Sequence, residues 1–222
     1  MNKAAECPQH PGSNLIGCTI CRADALAEGG TALTQYLASQ EHARCDREFP
    51  PRYRDAQVDH PEIGEWVENF RRDPRSAPSL LINGPTGTGK THQALAALRA
   101  AVTAGQRPRV EWRITTAPDL YALLRPRAGV DSEAEMNRWR TAGLLLLDDL
   151  GAAKSSEWVE EVTYRLIDHR YTHCLPTIIT TNVPTAQLRD HLGDRVASRL
   201  AEMCARVTLN GPDRRRVAQE AA

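Results

Sequence analysis

The sequence has no run of apolar residues that approaches the roughly 18 needed to cross a bilayer. Its first residues also lack the apolar core of a signal peptide, and we therefore expect a cytoplasmic protein. Charge of either sign is not in excess, because 28 basic and 28 acidic residues give a formal net charge of zero. This balance argues against a protein that coats nucleic acid by bulk positive charge, although it is compatible with a local basic surface. The 222 residues suffice for one α/β domain and a small accessory segment.

Lysine is scarce: Lys3, Lys90 and Lys154 are the only three, and almost all positive charge is arginine. A genome-wide codon bias explains this better than a demand for guanidinium chemistry. A lysine at position 90 is therefore notable, and it lies in the most informative stretch of the chain.

That stretch is GPTGTGKT, residues 84–91, which fits the phosphate-binding pattern G-x-x-x-x-G-K-[ST] at every fixed position. An apolar run at 80–82 precedes it and a stretch of helical composition at 93–98 follows, so the loop is predicted to join a buried strand to a helix. Lys90 would reach the β- and γ-phosphates, and the Thr91 hydroxyl would ligate Mg²⁺. The predicted nucleotide contacts are Gly84, Pro85, Thr86, Gly87, Thr88, Gly89, Lys90, Thr91 and His92.

A second polar element follows the apolar run 144–147, which predicts a strand buried on both faces. Asp148 and Asp149 come directly after it, at the edge where α/β sheets bind ligands. Asp148 is predicted to hold the Mg²⁺ shell and Asp149 to polarise the attacking water. Asn182 ends a later buried strand. If that strand lies between the other two, Asn182 reaches the γ-phosphate; otherwise it is an ordinary turn residue.

Two arginines, Arg195 and Arg199, are four residues apart and share one face of a predicted helix. In a chain that binds ATP, two cations on one face suggest an arginine finger aimed at the γ-phosphate of a neighbouring subunit. The alternative is a surface pair bonded to Asp194 or Glu202. A further group of arginines lies between 125 and 141 and is either a nucleic-acid surface or a solvated face. Its members are Arg125, Arg127, Arg138 and Arg140.

The six cysteines do not have the pattern of a disulfide framework. Cys7 and His10 form a C-x-x-H, and Cys18 and Cys21 form a C-x-x-C after a short turn-rich loop. Three thiolates and one imidazole suit a structural, tetrahedral Zn²⁺ site. The alternative is a set of unrelated residues at a disordered terminus. Cys45 lies far from this cluster and is predicted to be a plain thiol.

A boundary between two domains is predicted near residue 48. Residues 23–39 have helical composition, and Pro50 and Pro51 forbid a continuing helix. We expect residues 1–48 to form a zinc-knuckle and helical domain, and residues 49–222 to form the ATPase domain.

The motifs GPTGTGKT, LLLLDDLG, TTN and GDRVASRL occur in this order, and the chain from about 50 to 216 resembles the AAA+ ATPases of the DnaC/IstB type. The resemblance implies an α/β fold with an additional-strand P-loop and a parallel five-stranded sheet flanked by helices. The chain departs from the family pattern by stopping soon after Arg216, so only a minimal lid is expected. It implies Asn182 as sensor 1, Arg214 as the sensor 2 arginine, and an ATP-dependent, helical or hexameric oligomer. Asp149 replaces the glutamate commonest in AAA+ proteins, so hydrolysis is expected to be slow.

The resemblance also implies partners. The leading hypothesis is a loader that binds a DnaB-like replicative helicase through its N-terminal domain and delivers it onto single-stranded DNA. The alternative within the same fold is an IstB-like helper of transposition. A third hypothesis is a small-molecule P-loop kinase, but such an enzyme does not need the tandem acids or the arginine pair. A fourth is a zinc-dependent adaptor that uses its ATP site only as a structural clamp.

Overall fold

The computed structural model describes residues 6–7, 10–14, 31–105, 109–129 and 131–213, with side chains described from residue 33 onward. Two predicted zinc ligands, Cys18 and Cys21, and the predicted sensor residue Arg214 lie outside the described residues. Of Cys7 and His10 only the backbone is described, in the short antiparallel pair β1 (Glu6–Cys7) and β2 (His10–Asn14).

The main sheet has five parallel strands, as predicted. They are β3 (Ser79–Asn83), β4 (Trp112–Thr116), β5 (Leu144–Asp148), β6 (Thr177–Thr181) and β7 (Cys204–Thr208), in the spatial order β4-β5-β6-β3-β7. Every residue of β3, β5 and β6 is buried, in agreement with the apolar runs 80–82 in β3 and 144–147 in β5. Because β6 lies between β3 and β5, the predicted additional strand is confirmed.

Helices cover both faces of this sheet. They are α1 (Thr31–Glu48), α2 (Pro61–Arg72), α3 (Lys90–Val102), α4 (Ala117–Leu124), α5 (Ser132–Arg140), α6 (Glu157–Thr172), α7 (Leu188–Leu192) and α8 (Asp194–Met203). Short 3-10 turns span Pro51–Tyr53 and Thr185–Gln187. Among the described residues, no helix is both long and apolar enough to cross a bilayer.

Alternate residues of the strands face two separate cores. Leu80 and Ile82 pack with apolar residues of α1, α2 and α3, whereas Leu81 packs with those of α4, α6 and α8. The parallel register aligns Asn83 with Thr181, and Thr116 with Asp148. The carboxyl ends of these strands therefore meet at one edge of the sheet, where the predicted site residues follow.

Helix α1 differs from its predicted range of 23–39, since among the described residues it runs from Thr31 to Glu48. Its C-terminal half packs on the sheet, with Cys45 and Phe49 buried in the same core as Trp112. The Glu41 carboxylate is 3% exposed, accepts a 2.7 Å hydrogen bond from Trp112 Nε1 and pairs with Arg109. The domain boundary near residue 48 stays a prediction, but α1 shares a core with the sheet that follows it.

One arginine is completely buried at the far end of the sheet. The Arg170 guanidinium donates to Thr177 Oγ1 at 2.8 Å, to the Ala142 carbonyl at 2.7 Å and to the Pro176 carbonyl at 2.6 Å. Weaker bonds reach the carbonyls of Trp139 and Arg140 at the end of α5. Burial lowers the Arg170 pKa to about 9, so the group is charged at neutral pH and joins α5 and α6 to the start of β6.

Candidate functional site

The phosphate-binding loop connects β3 to α3, as the sequence predicts. Gly84 has φ 152° and Gly87 has φ 86°, values that L-residues with a side chain rarely adopt. A Cβ at Gly84 would lie 2.3 Å from the Leu209 carbonyl oxygen, and one at Gly87 would lie 2.0 Å from an Asp213 carboxylate oxygen. Glycine is therefore required at both positions by backbone conformation, and at Gly84 also by the close Leu209 carbonyl.

The loop lysine is the first residue of α3 and is only 6% exposed. Its ammonium group donates to the Pro85 carbonyl at 2.7 Å, and Thr88 Oγ1 donates to the same oxygen at 2.9 Å. Lys90 is therefore held beside the loop, where the N-terminal N–H groups of α3 also favour an anion.

The acidic residue at the end of β5 contacts the next residue of α3. Thr91 Oγ1 lies 3.1 Å from both carboxylate oxygens of Asp148, which is 8% exposed. Burial raises the Asp148 pKa, and the Asp149 charge adds to the rise. Hydrogen bonds from Thr180 and Thr91 and the Lys90 charge act in the opposite direction. A hydroxyl and a carboxylate that meet in this way are hard oxygen ligands of the kind that Mg²⁺ prefers.

The second acid, Asp149, has a left-handed backbone with φ 55°. Aspartate and asparagine adopt this conformation more readily than most residues that carry a side chain. The turn directs the chain out of β5, and Asp149 lines the cleft beside the loop. Its N–H donates to Thr180 Oγ1 at 2.9 Å, so the backbone of the turn is fixed to β6.

Sequence reasoning missed two threonines at the end of β6. Thr180 Oγ1 donates to Asp148 Oδ1 at 2.6 Å, and Thr181 Oγ1 donates to the Leu150 carbonyl at 2.6 Å. Both side chains are completely buried. The available signal was a pair of adjacent hydroxyls at the end of a buried strand, just before Asn182, because buried hydroxyls need partners.

A cleft of about 780 Å³ runs along this edge of the sheet. The predicted site residues that line it are Thr86, Gly87, Gly89, Lys90, Thr91, His92, Asp148, Asp149 and Asn182. Leu95 and Ile114 add apolar surface, and Pro50, Arg52 and Tyr53 also line the cleft. The sequence predicted this last segment as a linker, so its contribution to the cleft was not foreseen.

Comparison with known proteins identifies the family. The model of the IstB-like ATP binding proteins matches residues 72–221, which is more than half of the chain. The chain belongs to the IstB-like ATP-binding family.

The curated relatives include replicative helicase loaders and an ATP-binding protein of an insertion sequence. The chain is 25% identical over 139 residues to the replicative helicase loader DnaC of Escherichia coli K12, with 61% of this chain and 54% of that protein covered. It is 29% identical over 120 residues to an ATP-binding protein of insertion sequence IS5376 from Geobacillus stearothermophilus, covering 53% and 45%. A crystal structure of the DnaC helicase loader superposes with a TM-score of 0.63 and 29% identity, covering 72% of this chain and all of that one. The chain spans about half the length of the curated relatives it matches.

The cleft of this IstB-like protein fits a magnesium nucleotide. Lys90 supplies a buried cation, and Thr91 and Asp148 offer two adjacent oxygen ligands. These groups come from one loop and one strand end, which the sheet aligns.

The arginine pair of α8 does not line the cleft of its own chain. Arg199 Nε donates to Asp168 Oδ1 at 2.5 Å, and Nη2 lies 2.5 Å from the same oxygen. The Arg199 guanidinium lies 5.1 Å from the Tyr164 ring centroid. Arg195 is exposed, lies 5.5 Å from the same ring, and forms no ion pair within the described part of the chain. The acid that binds Arg199 is thus neither Asp194, which pairs with Arg189, nor Glu202.

The arginines before β5 divide into two groups. Arg138 pairs with Glu135 at 2.9 Å and Arg140 donates to Asn137, so both are engaged on α5 itself. Arg125 and Arg127 are exposed, and the Arg125 guanidinium lies 5.2 Å from the Trp158 ring centroid.

The side chains of the four predicted zinc ligands lie outside the described part of the chain. Where side chains are described, no group of three or more histidine, cysteine or acidic residues is arranged to hold a metal ion. Cys45 is a buried free thiol whose pKa burial raises to about 12, in agreement with its predicted role as a plain thiol.

Proposed function

We propose that this protein is an ATPase that binds a DnaB-like replicative helicase and delivers it onto single-stranded DNA. The observation that carries the proposal is the similarity to the DnaC helicase loader, whose crystallised chain is matched over its whole length at 29% identity. Matches to the curated loaders support it, although they cover only about half of each relative. The proposal places this activity in the cytoplasm.

The proposed reaction is hydrolysis of ATP in the cleft. Lys90 and the loop N–H groups bind the phosphates, and Thr91 and Asp148 hold Mg²⁺, which neutralises phosphate charge when it is bound. Asp149 lines the same cleft and polarises a water molecule, while Asn182 orients it. With an aspartate at position 149 we expect slow turnover that responds to DNA or to the partner.

A neighbouring subunit completes the site in this proposal. Arg195 and Arg199 lie outside their own cleft, so a cation from α8 can act only on the nucleotide of another copy. The structure offers an exposed Arg195 and an Arg199 that Asp168 already binds, and either is the candidate finger. An ATP-dependent helical or hexameric oligomer follows from this arrangement. Arg214, as sensor 2, would contact the nucleotide from the segment after β7.

The two partners are assigned to different parts of the chain. Residues 1–48, with Zn²⁺ held by Cys7, His10, Cys18 and Cys21, form the helicase-binding part. Single-stranded DNA is assigned to the exposed Arg125 and Arg127 with the neighbouring Trp158, because cations and aromatic rings bind backbone phosphates and bases.

Binding experiments with three variants test this division. The wild-type protein is expected to form a complex with a purified DnaB-like helicase in size-exclusion chromatography. Lys90→Ala should keep that complex but lose ATP binding, whereas Cys18→Ser should lose the complex and keep ATP binding. Arg127→Ala should retain both and bind single-stranded DNA more weakly. A wild-type protein that binds no helicase contradicts the loader function.

A role in transposition is the second candidate. The similarity to the ATP-binding protein of insertion sequence IS5376 favours it. The same chromatography with a transposase and duplex DNA in place of the helicase separates the candidates. A complex with the transposase alone would replace the loader by an IstB-like helper of transposition.

A further inference from the structure

The end of β6 is bonded to the turn that carries both acidic residues. The Thr180 hydroxyl contacts Asp148 and Asp149 at once, and it is completely buried. We propose that Thr180 is a positioning residue that sets the geometry of the acid pair for magnesium binding and hydrolysis. This inference rests on the proposed ATPase function and extends it to a residue that touches neither nucleotide nor metal.

The two partners of the Thr180 hydroxyl fix its orientation, because one accepts a hydrogen bond and the other donates one. A hydroxyl has a single proton to donate, and here the proton goes to Asp148 Oδ1 over 2.6 Å. The oxygen then accepts from the Asp149 N–H at 2.9 Å. Because the side chain is fully buried, water cannot replace either partner without opening the sheet. The hydroxyl therefore links the two acids through a fixed atom of β6.

The bond to Asp148 decides which way its carboxylate faces. Thr91 Oγ1 lies 3.1 Å from both carboxylate oxygens and so does not select one of them. Thr180 bonds only Oδ1 and does so at a shorter distance. Without this bond the carboxylate is free to rotate against Thr91, and the pair of oxygen ligands offered to a divalent cation loses its geometry.

The bond to Asp149 supports a strained turn. A left-handed backbone at a residue with a side chain costs free energy and persists where the surroundings fix it. Two contacts fix the turn besides the Thr180 hydroxyl: the Leu150 N–H donates to the Thr180 carbonyl at 2.9 Å, and Thr181 Oγ1 donates to the Leu150 carbonyl. These bonds hold the acid turn to the strand that leads directly into Asn182. The positions of Asp148, Asp149 and Asn182 are thus all set by β6.

Two substitutions separate the hydroxyl from the shape of the side chain. Thr180→Val keeps the branched shape but can neither donate nor accept, and Thr180→Ser keeps the hydroxyl. Thr177→Val is the matched control, since Thr177 is equally buried in β6 but bonds Arg170 at the far end of the strand. The measurements are kcat and KM for ATP, and the affinity for a fluorescent ATP analogue with Mg²⁺ and with EDTA.

We expect Thr180→Val to lower kcat by roughly 10- to 100-fold, the range that follows from losing a hydrogen bond to a charged group. The affinity for the analogue in EDTA should stay within about threefold, while the gain in affinity on adding Mg²⁺ shrinks. Thr180→Ser should restore both properties, and Thr177→Val should lower the melting temperature without changing them.

The inference is overturned if Thr180→Val keeps the wild-type kcat and the wild-type gain with Mg²⁺, or if Thr177→Val loses them equally. Failure of the proposed function looks different, because then the wild-type protein itself hydrolyses no ATP. In that case the Mg²⁺-dependent gain in affinity still decides the role of Thr180, since it requires no turnover.

Discussion

Replacing the buried arginine at the far end of the sheet should destabilise the fold without affecting the ATP cleft. Arg170→Met retains most of the side-chain volume but removes the three short hydrogen bonds to Thr177, Ala142 and Pro176. A buried acceptor that loses its donor costs about 1 to 3 kcal/mol. The Ala142 carbonyl loses its 2.7 Å bond, whereas the Pro176 carbonyl keeps a longer bond from the Leu145 N–H at 3.3 Å.

The lost bonds are partly offset, because the variant no longer buries a charged group. We therefore expect the free energy of unfolding to fall by about 2 to 4 kcal/mol, near the upper range of single substitutions. Arg170→Lys keeps the charge but lacks the planar guanidinium with its several donors. Its free energy of unfolding should therefore lie between those of the wild type and Arg170→Met. Urea denaturation followed by tryptophan fluorescence measures these values. Arg72→Met, at an exposed arginine of α2, is the control.

The reasoning would be refuted by an Arg170→Met protein that unfolds within about 0.5 kcal/mol of the wild type, the range of neutral surface changes. That result would mean that desolvation of the charge cancels the hydrogen bonds. A second contradictory result would be loss of nucleotide affinity in a variant that remains folded.

Three further predictions concern the site and its metal ions. Asp149→Asn should keep ATP affinity within about threefold and lower kcat roughly 100-fold, because asparagine tolerates the left-handed backbone but carries no charge; equal turnover in a steady-state assay would remove Asp149 from the mechanism. Arg195→Ala and Arg199→Ala are each mixed with Lys90→Ala, whose subunits cannot bind ATP but keep both arginines. If one arginine acts across subunits, its alanine variant should be inactive alone and should recover ATPase activity in the mixture, and that arginine is the finger. Elemental analysis should find one zinc ion per chain, lost in Cys18→Ser; a wild-type protein without zinc would exclude the knuckle.

The sequence predicted the parts of the site that local patterns specify. The loop from Gly84 to Thr91 fits a fixed sequence pattern, and Asp148 and Asp149 directly follow an apolar run. Strand β6, which ends just before Asn182, lies between β3 and β5, as the predicted site needed. The contribution of Pro50, Arg52 and Tyr53 to the cleft was missed, and so was the role of the Thr180 hydroxyl. Both depend on contacts with residues distant in the chain.

Helix α1 shows the same limit at the level of the fold. Composition favoured a helix over 23–39, but the described helix continues to Glu48 and is followed by Pro50 and Pro51. The added turns bury Cys45 in the same core as Trp112 of β4, an arrangement that no local pattern contains. The residues that directly follow α1 include Pro50, Arg52 and Tyr53, which line the cleft. The predicted helicase-binding part, residues 1–48, is therefore connected directly to a segment of the cleft.

Helicase transfer to a single-stranded DNA circle tests the central proposal most directly. Purified protein, DnaB-like helicase and ATP are incubated with the circle, and helicase that elutes with the DNA is measured by gel filtration. The loader function predicts ATP-dependent transfer by the wild type and none by Lys90→Ala, which still binds the helicase. Helicase that associates with the DNA to the same extent without this protein, or no complex with the helicase at all, would contradict it.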